Sequence, residues 1–331
     1  MEYPIIASTL YKALGNPNPF RMEPETPLLE CPKISPQNLE FVEVGTFNTP
    51  NYRGYMKDEN GAFVSLWHDV PVFAPKEAED STQFYNMIVT GPRYTNARVT
   101  ISHTEPMNPL VHMQNPDGSL DYERNIFPHH GFPFNTGLFP QTYTDSVSKS
   151  AGQPSPGDGN MLDALDLSRK TRKLGEIVKV RVIGTMSFIV NNQLDWKVIC
   201  ADAADPIWAH VKDMQCLELV MPGITRSIYE FFYVSSIPKT GLVTQAAFRG
   251  ACHKADTVHQ MLSISHKVWK NVINQLQHGV LPETVVECRQ EDAKIKADLE
   301  KWRKIVEDAP EKTEPAAAPD YVESYYYIRC L

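Results

Sequence analysis

Asp158, Asp163 and Asp195 carry carboxylates of the kind that hold a metal ion, and Lys197 stands two residues after Asp195. Carboxylate oxygens are hard donors, and Mg²⁺ gives up its waters reluctantly, only for such oxygens in good geometry. Asp145 and Asp202 are further acids that could substitute. Arg98 and Lys197 are cations that could meet a phosphate, with Asp121 opposing them. Sulfur offers less. Cys31, Cys200, Cys216, Cys252, Cys288 and Cys330 are scattered without a CxxC pair, which reads as free thiols in a reducing compartment.

The chain that must position these groups has 331 residues, long for one domain without requiring two. Hydrophobic residues make up 42% and charged residues 22%, enough for a core of ordinary size. The net charge of −8 argues against non-specific binding to nucleic acid or anionic membrane, which needs a basic face. No apolar run approaches the roughly 20 residues of a membrane span. The first residues contain no secretory core, and with Glu2 and only Lys12 they make a poor mitochondrial presequence. The expectation is an intracellular protein, in cytoplasm or mitochondrion.

Residues 1–41 are rich in proline and read as an extended arm. Short β-branched and aromatic runs follow: Phe63 to Val72, Phe84 to Val89, Arg98 to Ser102, Ile177 to Ile183, Met186 to Val190 and Trp196 to Ala201. So many short strands suggest a barrel or sandwich. Helices are expected at Trp208 to Val220, stopped by Pro222 and Gly223, and at Ala255 to Ile273, where Val258, Leu262, Ser265, Trp269 and Val272 make one face. Glu287 to Val306 reads as a charged helix with a narrow apolar stripe, packed on the body. Ala309 to Pro319 reads as a linker before an aromatic tail.

Several stretches resemble the fungal and animal branch of the family I soluble inorganic pyrophosphatases. Residues 64–71 (VSLWHDVP), 86–89 (NMIV), 92–97 (PRYTNA), 125–131 (NIFPHHG), 139–143 (FPQTY) and 195–199 (DWKVI) stand in that family's order, between about Val42 and Ile273. The resemblance implies an α+β, mainly β fold: a closed five-stranded OB-like barrel flanked by helices, with N- and C-terminal extensions. The expected organisation is an arm at 1–41, a pyrophosphatase-like domain at 42–280, a charged helix at 281–308, and a linker with aromatic tail at 309–331.

In that family, carboxylates bind several Mg²⁺ ions around diphosphate, while Lys, Arg and Tyr hold its oxygens. Here the signature DNDPID is matched by residues 158–163, DGNMLD. Asp158 and Asp163 are kept, but the middle acid is Asn160, which can orient a water and cannot take its proton. Asp195 and Lys197 are kept, and the acid five positions before Asp195 is Val190. The family's two glutamates fall at Thr90 and Thr100, and its lysine at Arg98. Its arginine falls at Asp121, its tyrosine at Thr136, and its Tyr-Lys pair at Ser235 and Ser236. Arg93, Tyr94, His130 and Tyr325 match residues at the family's homodimer interface.

These losses lead to the expectation of a pseudoenzyme: not an enzyme, no cofactor in use, Asp158, Asp163 and Asp195 vestigial as metal ligands, and Arg98, Asn160 and Lys197 left in a vestigial pocket. Its role would be structural or accessory. Its partners would be other protein subunits or a second copy, with no nucleic acid and no membrane span. The alternatives are an active Mg²⁺-dependent diphosphatase and a phosphate- or nucleotide-binding module without hydrolysis.

Overall fold

The structure is a computed structural model and describes residues 35–75, 82–147 and 153–328. Most of the expected arm, Cys31 and Cys330 lie outside them. In chain order the strands are β1 (Glu40–Val44), β2 (Arg53–Lys57), β3 (Phe63–Val64), β4 (Tyr85–Gly91), β5 (Val99–Ile101), β6 (Leu110–His112), β7 (Asn125–Ile126), β8 (Asn135–Phe139), β9 (Leu162–Asp166), β10 (Ile177–Val190), β11 (Gln193–Asp202), β12 (Gln245–Ala246), β13 (His253–Lys254) and β14 (Tyr325–Tyr326). The helices are α1 (Met214–Val220), α2 (Ile224–Ser235), α3 (Ile237–Thr240), α4 (Ala255–Ile273), α5 (Leu299–Glu307) and α6 (Asp320–Glu323).

The barrel is closed by its pairings. β10 pairs with β4, β4 with β8, β8 with β9, β9 with β11, and β11 returns to β10. Each of the five strands therefore has two neighbours, which leaves no open edge in the ring. The long hairpin β10–β11 forms because Asn191 and Asn192 both adopt positive φ, as a tight two-residue turn requires. Gly184 marks the register shift in β10, where a Cβ would lie 2.7 Å from the His253 carbonyl oxygen. The two runs expected at 177–183 and 186–190 are thus one strand carrying a bulge. A smaller sheet in the order β1-β2-β6-β5 stands beside the barrel.

Helix α4 has the expected bounds and seals both sheets. Val258, Met261 and Leu262 pack with Val178, Val180 and Val182 of β10. Trp269, Val272 and Ile273 pack with Ile101 and Leu110 of the smaller sheet. The helix expected at 208–220 is split, because the Asp213 side chain accepts the Cys216 N–H at 2.8 Å and starts α1 there. None of the helices among the described residues is long and apolar enough to cross a membrane.

The C-terminal region departs from its expected form. The charged helix begins only at Leu299, since Asp298 caps it, accepting from the Lys301 N–H at 3.1 Å. Residues 309–319 run as a strap along the end of β1. Gly45 N–H donates to the Pro310 carbonyl at 2.8 Å, and Ala316 N–H to that of Phe47 at 2.9 Å. Trp302 anchors α5, fully buried against Val44, Tyr55, Phe63 and Met107. Trp302→Ala is expected to cost about 3–5 kcal/mol of stability. A thermal melt checks this, and an unchanged midpoint would show that α5 does not share in the fold's stability.

Candidate active site

Asp163 on β9 stands opposite Lys197 in the parallel β9–β11 ladder. Asp195 lies two residues before Lys197 on β11, on the same face of the strand. The strand register therefore brings these three together. The Lys197 ammonium lies between the two acids, 2.8 Å from Asp195 Oδ2 and ion-paired with Asp163. Burial opposes charge on Lys197, but Asp163 and Asp195 outweigh it and hold the amine protonated. Asp163 is pushed up by burial and by the charge of Asp195, despite the lysine. Negative charge at this point exceeds what one ammonium offsets.

Asp158 sits in the loop before β9, where Gly159 turns the chain with φ of 72°. Its carboxylate accepts from the Thr144 hydroxyl and from the Asn160 N–H at 3.2 Å. Burial, then the Asp195 charge, push its pKa up to about 7. The Asn160 side-chain oxygen accepts from the Met161 N–H at 2.9 Å.

Arg98 forms the other wall. Its guanidinium is 2.9 Å from Glu123 Oε2 and 3.0 Å from Asp121 Oδ2. Its charge reaches Asp163, which links the two walls electrostatically. Glu123 is buried, and burial raises its pKa even with Arg98 beside it. Asp121 also binds Lys239, the third residue of α3. The charge reversal at Asp121 is therefore answered by two cations.

The remaining residues singled out in the sequence are dispersed. Thr100 lines a cleft of about 360 Å³ together with Asn160, while Thr90 lines a separate cavity of about 460 Å³ with Tyr52 and Val99. The Thr136 hydroxyl donates to the Gly91 carbonyl. Val190 is exposed at the end of the β10–β11 hairpin. Ser235 and Ser236 are used within their own turn, donating to the carbonyls of Phe232 and Leu242. Asp202 is held at 2.6 Å by Arg172, far along β11 from the carboxylate group. Arg93 turns inward and donates to the Ser168 carbonyl at 2.6 Å. Tyr94 is exposed with positive φ, and His130 Nδ1 lies 3.2 Å from the Tyr325 hydroxyl.

Glu123, Thr144 and Lys239 were not legible as site residues. For Lys239 there was a signal: it lies three positions after Ser236, so the missing lysine reappears about one helical turn further on.

A family model described as inorganic pyrophosphatase matches residues 87–270. An inorganic pyrophosphatase of Drosophila melanogaster is 33% identical over 292 residues, covering 87% of this chain and 84% of its own. One from Candida albicans is 34% identical over 231 residues, 70% of this chain and 78% of its own. Among solved structures, the Schistosoma japonicum inorganic pyrophosphatase superposes with a TM-score of 0.77 at 26% identity, over 87% of this chain and all of that one. A truncated Trypanosoma cruzi vacuolar soluble pyrophosphatase in complex with PPi gives 0.65 at 29% identity, over 76% of this chain and 95% of that one. The chain belongs to the inorganic pyrophosphatase family.

This membership corrects two expectations. That the chain is not an enzyme conflicts with relatives that carry an enzyme's name over most of their length. That it uses no cofactor conflicts with a family whose members work with Mg²⁺. The residues that remain keep a surplus of half-buried negative charge in one place.

The residues fit a Mg²⁺ ion by that charge and by donor type. Mg²⁺ is commonly held by one or two carboxylates, with waters and substrate phosphate completing its shell. Asp163 and Asp195 are such a pair, with the ammonium of Lys197 in the position of a cation. Among the described residues no three Asp, Glu, His or Cys side chains form a ready-made ligand group, so the two-carboxylate arrangement is the one this site offers.

Proposed function

We propose that this chain hydrolyses inorganic diphosphate with a divalent cation, at the site formed by Asp158, Asp163, Asp195, Lys197 and Arg98. The observation that carries this is the pair Asp163–Asp195, half-buried, in excess of its lysine, and flanked by cations that suit phosphate oxygens. The T. cruzi relative solved with PPi supports the choice of ligand.

Asp163 and Asp195 would hold the metal ion, which would stabilise charge on the phosphate oxygens. Lys197 moves from these acids to the diphosphate, and Arg98, anchored by Glu123 and Asp121, meets its other end. Asn160 orients the attacking water without accepting its proton. Asp158 accepts it, because a base with a pKa near the working pH is the effective one. The site has fewer carboxylates than the family pattern, so slower turnover than a full member is expected. A phosphate-release assay with Mg²⁺ and Mn²⁺ tests the reading. Asp158→Asn should lower kcat by about 10²–10⁴-fold. Since Asp158 works as the base only when ionised, and burial raises its pKa above that of a free carboxylate, kcat of the unmodified chain should fall as pH drops from neutral towards 5. A rate that stays flat down to pH 5 would exclude Asp158 as the base.

A role within an assembly stands beside this reading. Tyr94, Phe127, Tyr325 and Tyr327 are exposed aromatics, with Phe127 and Tyr327 stacked at 5.4 Å and His130 against Tyr325. Exposed aromatic clusters of this kind mark contact surfaces. The proposed occupant is a second copy of the chain. Sedimentation should show a dimer that Tyr94→Asp dissociates, and a monomer at all concentrations would remove the proposal.

A further inference from the structure

Two positions at which the family pattern has acids, Thr100 and Asn160, face one cleft, while the retained Asp158, Asp163 and Asp195 do not line it. Negative charge has thus been lost on one side of the site and kept on the other. The cleft holds about 360 Å³, between the β5–β6 ladder, the start of β2 and the loop before β9. That is within the size range of small-molecule sites, about 300–1,000 Å³. Asn160 joins it to the carboxylates: its N–H bonds Asp158, and its amide lies against the His103 ring in the cleft wall.

The wall is polar and carries no spare charge. Arg53 is matched by Glu105 at 2.5 Å and also donates to the carbonyls of Pro50 and Tyr52, both at 2.7 Å. His103 lies flat on Trp67, with ring centroids 4.3 Å apart, and burial keeps it neutral by drawing its pKa down to about 4. Its ring is also bonded by the Asn160 side chain. A bare diphosphate is a polyanion and finds no free cation in this wall. A neutral group with hydroxyls or ring nitrogens can exchange hydrogen bonds with the Thr100, Ser102, Thr104 and Gln114 side chains that line it, at no cost in unpaired charge.

Resting on the diphosphatase reading above, we infer that this cleft receives the organic substituent of a diphosphate monoester, a neutral polar group of nucleoside size, while its diphosphate lies among Arg98, Lys197 and the carboxylates. In the reaction water adds to the terminal phosphorus and the bridging P–O bond breaks. The organic monophosphate and orthophosphate leave, and one proton passes to solvent. No further reactant is needed.

The test compares inorganic diphosphate and ADP as substrates of the full chain with Mg²⁺. ADP should be cleaved with kcat/KM within about tenfold of that for inorganic diphosphate. Gln114→Glu, which charges the cleft, and Gln114→Trp, which fills it, should each lower kcat/KM for ADP by about tenfold or more while sparing inorganic diphosphate. If inorganic diphosphate is cleaved but ADP is neither cleaved nor a competitor, the cleft assignment is overturned and the diphosphatase reading stands. If neither is cleaved, that reading falls, and calorimetry with ADP and Mg²⁺ decides the cleft. Binding weaker than that of inorganic diphosphate, or unaffected by both variants, overturns it. Tighter binding that both variants abolish supports it.

Discussion

Asp195→Ala is expected to lower kcat for diphosphate hydrolysis on the order of 10³-fold or more while leaving the fold in place. The side chain is one of two carboxylates that face Lys197, and its loss leaves Asp163 and the lysine as a simple one-to-one pair. That pair is neutral overall, so only Asp158 remains in excess and the two-carboxylate holder of a divalent cation is gone. The effect on stability should be small, because Lys197 keeps Asp163 and the strand keeps its neighbours on both sides. Phosphate release across a range of Mg²⁺ concentrations reads the activity, and circular dichroism reads the fold. Activity within a few-fold of the unmodified chain would exclude the Asp163–Asp195 pair as the metal-holding element.

Arg172→Met should have a large effect on stability. Arg172 is buried, and its guanidinium reaches Asp166 at 3.2 Å, Glu176 at 3.1 Å and Asp202 at 2.6 Å. Asp166 is itself fully buried on β9 and also accepts from Asn135 Nδ2 at 3.0 Å and the Ser168 N–H at 2.9 Å. Removing the arginine leaves this carboxylate without its buried counter-charge, which typically costs about 3–5 kcal/mol. The network ties β8, β9 and β11 together at one end of the ring, so the loss falls on barrel closure. Chemical denaturation measures it. Adding Asp166→Asn should recover much of the loss, because the stranded charge is then absent. A double variant no more stable than Arg172→Met would show that packing of the arginine stem, not charge, sets the cost.

The barrel was legible because its motifs are structural. The residues at 86–89 fill β4, which is buried along its whole length, and those at 195–199 fill β11. Helix α4 was legible to the residue because its apolar spacing matches the two sheets it covers. Helix α2 was not among the expected elements, although Ile224, Ile228, Phe231 and Phe232 keep helical spacing. The charged helix was drawn too long because alternating charge continues through residues 288–297. There the chain folds back, with the Ala297 N–H bonding the Cys288 carbonyl at 3.0 Å.

At the site, the pairing of Asp163, Asp195 and Lys197 followed from residues already singled out. Which of them meet depends on strand register, since the parallel alignment of β9 with β11 places Asp163 opposite Lys197. That Lys239 meets Asp121 does not follow from its position in the chain. Lys239 lies 118 residues away in sequence, and only the packing of α3 against the loop after β6 brings it there. A residue-by-residue comparison registers a lost cation at Ser236 and an added anion at Asp121. The folded chain shows Asp121 sharing Lys239 and Arg98.

Crystals of the full chain grown with Mn²⁺ and imidodiphosphate offer the most direct measurement, read by the anomalous signal of the metal. The account predicts a peak bonded to both Asp163 and Asp195, with the Lys197 amine moved onto a phosphate oxygen. Lys197 still lodged between the two carboxylates, with no metal peak and the diphosphate analogue absent, would contradict it.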